Sequence, residues 1–138
     1  MALPDEPQPS GLEQSLRFTP AFDAAGLIPC VTVAADGGDV LMVAWMNAEA
    51  LSRTLETGLV HYWSRSRQAI WKKGETSGAV QRVVELLTDC DQDVILVRAA
   101  VETRAGTCHT GRTTCFYRSV PLGSGAIERP FKAGGAKN

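Results

Sequence analysis

The stretch Asp89-Cys90-Asp91-Gln92-Asp93 constrains this chain more than any other, because it sets three carboxylates at alternate positions with a thiol among them. So much negative charge in so short a segment calls for a cation to lower the cost of bringing the groups together. If Thr88–Val94 is extended, the two-residue period of a strand puts Asp89, Asp91 and Asp93 on one face and turns Cys90 to the other. The oxygen face then suits a hard ion such as Mg²⁺. Cys90, taken with Cys108 and Cys115, offers soft thiolates suited to Zn²⁺, with one tetrahedral position left for water. The bland alternative is a solvated acidic turn. An EF-hand loop is excluded, since its sixth position falls on Val94 where glycine is needed and its twelfth on Ala100 where a bidentate Glu is needed.

The rest of the composition narrows the class. With 138 residues, 44% of them hydrophobic and 21% charged, the chain can build one domain with a real core. A formal net charge of -1 and a pI near 6.1 give no electrostatic reason to expect nucleic acid or an anionic membrane as partner. Residues Met1 to Ser10 hold Pro4, Pro7 and Pro9 with Asp5 and Glu6, without a basic start or an apolar core of a signal peptide. No apolar run approaches the ~20 residues that span a bilayer. The expectation is a soluble, cytoplasmic protein whose cysteines stay reduced rather than pairing as disulfides.

Local pattern predicts a flexible N-terminal arm over 1–18, with a helical turn possible across Glu13–Phe18, a folded domain over 19–122 and a flexible tail over 123–138. Cys30–Ala34 and Val40–Met46, split by Asp36-Gly37-Gly38-Asp39, read as a hairpin. Asn47 caps a helix over Ala48–Thr57 that Gly58 ends. Val60–Ser64 reads as a strand, and the basic stretch after it, to Gly78, as a loop. Val80–Leu87 and Val94–Val101 are strands with the acidic segment at their junction.

That basic loop is a candidate phosphate cradle. The guanidinium groups of Arg65 and Arg67, the ammonium groups of Lys72 and Lys73, backbone N–H groups freed by Gly74 and Gly78, and the Ser64, Ser66, Thr76 and Ser77 hydroxyls are the donors such a site needs. Trp63 and Trp71 suit the core better than a stacking surface, Cys30 reads as core filler, and His61 as structural. His109, beside Cys108 and the flexible Thr110-Gly111, can serve as ligand, general base or surface residue. Two rival readings stay open: a zinc-stabilised interaction module with His109 as fourth ligand, and a nucleotide hydrolase acting at phosphorus through Mg²⁺ on the aspartates.

Trp63-Ser64-Arg65-Ser66-Arg67, Trp71-Lys72-Lys73-Gly74-Glu75-Thr76-Ser77-Gly78, Asp89-Cys90-Asp91-Gln92-Asp93, Cys108-His109-Thr110-Gly111 and Cys115-Phe116-Tyr117 together resemble the phosphoribosyl-AMP cyclohydrolase family of histidine biosynthesis. The resemblance runs from about Phe22 to Arg118 and takes in Gly26-Leu27-Ile28-Pro29 and Met46-Asn47-Ala48-Glu49-Ala50. It implies an α+β fold: a single compact domain with a largely antiparallel β-sheet and one or two helices, in an intimate homodimer. The implied reaction is hydrolytic opening of the adenine ring at the N1–C6 bond of 1-(5-phosphoribosyl)-AMP by zinc-activated water, giving the formimino-aminoimidazole carboxamide ribotide of that pathway. It places zinc on Cys90, Cys108 and Cys115, shared between subunits, and magnesium on Asp89, Asp91 and Asp93. Arg65, Arg67, Lys72, Lys73, Gly74, Thr76 and Ser77 are the expected substrate contacts and His109 the expected proton shuttle. The form expected is monofunctional, without the pyrophosphohydrolase domain that some relatives carry.

Overall fold

The computed structural model describes residues 16–127. Its centre is β1 (Ile28–Ala34), which is buried along most of its length. β1 pairs antiparallel with β2 (Val40–Met46), through Ile28 opposite Met46 and Cys30 opposite Ala44. On its other side β1 runs parallel to β6 (Ile95–Ala100), Cys30 opposite Ile95 and Ala34 opposite Ala99. A strand flanked on both sides is cut off from water, which is why this run reads Ile-Pro-Cys-Val-Thr-Val-Ala with little polar alternation.

Asn47 ends β2 and starts α1 (Ala48–Thr57): its side chain accepts from the Ala50 amide at 2.8 Å. Gly58 ends the helix in the left-handed region at φ 75°, its N–H returning to Thr54 O, a conformation that costs a residue with a Cβ far more. Ala50, Leu51 and Thr54 face inward, so α1 packs on β2 and β3. The chain then enters β3 (His61–Ser64) and turns back as β4 (Ala69–Lys72), His61 opposite Lys72 and Ser64 opposite Ala69. β4 corrects the expectation of an uninterrupted loop. Ala69-Ile70-Trp71 is too short an apolar run to announce a strand alone, and it becomes one because β3 supplies the partner edge.

β5 (Arg82–Thr88) pairs antiparallel with β6 and completes a six-stranded mixed sheet in the order β4-β3-β2-β1-β6-β5. The sheet curls: Leu59 bridges Arg82, and Val60 N and Val83 N donate to Gln81 O and Gly58 O, bringing the start of β5 back to the entry of β3. Ile28, Leu41, Met46, Val60, Tyr62, Ile95 and Val97 fill the interior with Cys30. Four of the five strand pairings are antiparallel, and among the described residues α1 is the α-helix, with a 3-10 turn at Arg104–Gly106. This is the expected α+β class. Of the helical turn predicted at Glu13–Phe18, residues 13–15 lie outside the described range and 16–18 are not helical. Of the predicted tail, 123–127 are described, Ser124 N closing a turn on Pro121 O, and the remainder lies outside.

Candidate active site

The acidic segment is a turn between β5 and β6, not the extended strand that alternation requires. Gln92 takes a left-handed conformation at φ 61°, and its N–H donates to Asp89 O at 3.1 Å. Asp89 Oδ1 accepts from the amides of Asp93 and Val94 at 2.9 and 3.2 Å, closing the turn with a carboxylate in place of a ladder bond. The carboxylates still converge. Oxygens of Asp89, Asp91 and Asp93 lie within 4.8 Å of one another, all exposed. Hydrogen bonding to Asp89 and Asp91, then their negative charge, pushes Asp93 up to about 6. At Asp89, desolvation is outweighed by the hydrogen bonds from Asp93 and Val94, and its carboxyl sits below the ordinary range. Hard oxygen donors that repel one another at this range fit a small divalent cation, which would relieve the repulsion.

Gln92 is the residue that local sequence did not mark. It is buried, its Oε1 accepts from Thr19 N at 2.6 Å, and its Nε2 donates to Arg17 O at 3.3 Å. Its own carbonyl accepts from Ala21 N at 2.7 Å. The acidic turn is thus tied to the segment before β1. A glutamine among aspartates carries no compositional signal for this.

The thiols divide. Cys108 opens a closed turn in which Gly111 N donates to Cys108 O at 2.8 Å and Cys108 N to Arg112 O at 3.1 Å. Cys115 lies against β2, where β3 does not reach: Cys115 N donates to Leu41 O at 2.8 Å and Thr114 Oγ1 to Val40 O at 2.7 Å. The sulfurs of Cys108 and Cys115 are hydrogen-bonded. Burial works to raise Cys108, but hydrogen bonds from Thr110 and Cys115, with the Lys73 charge, outweigh it and hold this thiol below its ordinary value. Partial desolvation of its sulfur and the negative partner push Cys115 up to about 11. Two soft sulfur donors in hydrogen-bond contact, one of them held below its ordinary value, fit zinc. Cys90, exposed on the acidic turn, does not complete a three-sulfur cluster within 4.8 Å among the described residues. Cys30 is buried apart from these, its thiol pushed up to about 12 by burial, as core filler should be.

The basic residues line two clefts that share Trp71. A cavity of 270 Å³ is walled by Arg67, Trp71, Lys72, Lys73, Gly74, Glu75, Thr76 and Ser77 from one side and by Gly106 and His109 from the other. Every expected substrate contact except Arg65 is there, with the expected proton shuttle. Gly74 is obligatory: at φ +85° its Cβ would stand 2.2 Å from Val80 N. Arg65 instead lies over the Trp45 ring at 4.9 Å, in a wider cleft of 560 Å³ that includes Trp63, Ser64 and Ser66. Trp63 is therefore a half-buried cleft wall rather than a core anchor, whereas Trp71 both packs on the core and faces the clefts. His61 is buried and structural, its Nδ1 paired with Leu59 O at 2.8 Å.

A family model described as phosphoribosyl-AMP cyclohydrolase matches residues 42–117, which hold both thiols, the acidic turn and both clefts. Curated relatives carry the same description. One from Nitrobacter hamburgensis is 57% identical over 129 residues, covering 94% of this chain and 86% of its own length. One from Chelativorans is 56% identical over 122 residues, with 88% of each chain covered. One from Mesorhizobium japonicum is 59% identical over 114 residues, covering 83% of this chain and 74% of its own.

Proposed function

This chain belongs to the phosphoribosyl-AMP cyclohydrolase family, and on that premise we propose that it opens the adenine ring of 1-(5-phosphoribosyl)-AMP by hydrolysis at N1–C6, as a step of histidine biosynthesis. The observation that carries the reading is the 270 Å³ cavity, because it sets His109, next to Cys108, across from a wall of phosphate-binding donors. The substrate presents phosphate at both ends of a flat base, and an aromatic-walled cleft with a cationic rim answers that shape.

Arg67, Lys72, Thr76, Ser77 and the backbone around Gly74 hold one phosphate, while Arg65, fixed on Trp45, reaches the other arm from the adjoining cleft. Binding at both ends orients C6 toward the thiol side of the cavity, which supplies the proximity term of the rate. A His109 ring nitrogen takes the proton of the attacking water and returns one to N1 as N1–C6 breaks, leaving a carboxamide on one side and an amidine on the other. Cys108 and Cys115, with Cys90 of a second chain, would hold zinc, which would supply Lewis acidity able to bring the pKa of a water toward ~7. Asp89, Asp91 and Asp93 would hold magnesium, whose charge lowers the local cost of a polyanionic substrate. The cysteine placement supports a working form made of two copies, a homodimer.

The test is incubation of the metal-replete protein with phosphoribosyl-AMP, followed in the ultraviolet. Ring opening with the N1-substituted nucleotide, and none with AMP, is the expected result. Phosphate release without ring opening would place the chemistry at phosphorus and overturn the reading.

A further inference from the structure

Lys73 stands at the end of β4, in a run of cations where a phosphate contact is the simplest expectation. Its ammonium is already engaged. Nζ donates to Thr107 O at 2.6 Å and to Gly106 O at 3.3 Å, across 34 and 33 residues of sequence. An ammonium has three protons to give, so at most one is left over. The Lys73 charge is near enough to be felt by both Cys108 and Cys115.

The carbonyls that Lys73 grips belong to a segment with few other side-chain ties, the Arg104–Asp39 ion pair at 3.6 Å among them. The 3-10 turn Arg104–Gly106 buries no residue, and its cap position Thr103 makes no side-chain hydrogen bond. Thr107 is buried, yet its Oγ1 has no hydrogen-bond partner. Besides that ion pair with the β1–β2 turn, the basic loop fixes the segment through Lys73 and the close seat of Gly106, where a Cβ would meet Ala79 Cβ at 3.0 Å and Ser77 Oγ at 3.3 Å. Lys73 is itself anchored, its N–H donating to Val60 O at 3.0 Å.

We propose that Lys73 is a positioning residue rather than a phosphate clamp: its ammonium ties the Cys108 loop to the end of β4 and so sets the thiol pair and His109 against the substrate-binding wall. The roles of that wall and of His109 rest on the function proposed above; the tether itself does not. Lys73→Met keeps the aliphatic stem and removes the donors. In the metal-free protein, hydrogen exchange of the backbone amides across 104–112 should then quicken about tenfold, the scale at which losing a charged hydrogen bond shifts a local opening. Amides of β1 and β6 should keep their wild-type rates, and Lys73→Arg, which can still donate to both carbonyls, should restore most of the protection.

In turnover, Lys73→Met should lower kcat with KM within about twofold, because a misplaced proton shuttle is felt at the reacting centre and not in ground-state binding. Gly106→Ala, which crowds the same seat while leaving the Lys73 charge intact, should reproduce both effects and serves if Lys73→Met does not fold. Unchanged exchange across 104–112 in both variants, or a rise in KM at constant kcat, would overturn the tether. Exchange needs neither zinc nor substrate, so a protein inactive toward phosphoribosyl-AMP would sink the proposed function and still decide the part played by Lys73.

Discussion

The amide of Cys115 donates to the carbonyl of Leu41 at 2.8 Å, and this bond fixes the thiol pair to the β2 side of the sheet. Cys90 is on the turn after β5, and the strand order places β1 and β6 between. Three strand spacings of about 4.8 Å separate the two positions, on the order of 10 Å or more even across a curled sheet. Zinc–sulfur bonds are about 2.3 Å, and we propose that one ion takes Cys90 from one chain and Cys108 with Cys115 from another.

Magnesium binding at the acidic turn, as proposed, is tested through stability. Asp93→Asn removes one of the mutually repelling carboxylates, so the metal-free variant should be as stable as wild type or slightly more so. Mg²⁺ should raise the Tm of wild type by binding the native state, and in Asp93→Asn that rise should disappear. Thermal melts with and without Mg²⁺ check this, and zinc content should stay unchanged because no thiol is touched.

Burial of Cys30 predicts an alkaline limit. Its thiol titrates near 9.0 in the unfolded chain and is pushed up to about 12 in the fold. The native state therefore keeps a proton that the unfolded state loses, and the stabilisation is full below about pH 9 and drains away as pH rises toward about 12. Tyr62, also raised by burial, adds in the same direction. Urea unfolding at about pH 8 and about pH 10.5 should give a steeper loss for wild type than for Cys30→Ala, whose own cost at neutral pH is about 1 kcal/mol.

Gly74 and Gly37 separate strain from crowding. Both have positive φ, but a Cβ at Gly37 meets nothing within 4 Å whereas at Gly74 it strikes Val80 backbone. Gly37→Ala should cost about 1 kcal/mol and Gly74→Ala upward of about 3 kcal/mol, with the cavity wall displaced and substrate affinity lost. Denaturant midpoints compared with KM test both halves.

What could be read before folding was whatever is carried by neighbours in sequence. Asn47 and Gly58 bracket α1 because caps act over one turn, and the donors of the cavity wall run together from Arg67 to Ser77. The fourth strand was hidden because Ala69–Lys72 is extended only through its pairing with β3. The acidic segment was misread as a strand because the decisive residue, Gln92, adopts a left-handed backbone that glutamine does not advertise. Its partners at Arg17 and Thr19, like those of Lys73 at Gly106 and Thr107, lie far away in sequence, where no local pattern reaches.

The proposed sharing of the thiol site between two chains is tested most directly by complementation. Cys90→Ser and Cys108→Ser should each be inactive alone and, mixed under conditions that let subunits exchange, form dimers in which one site carries both lesions and the other none. With equal amounts and random exchange about half the dimers are mixed, so activity should return to roughly a quarter of wild type per chain. No recovery, with exchange verified by mass spectrometry, would contradict a zinc site built from two chains.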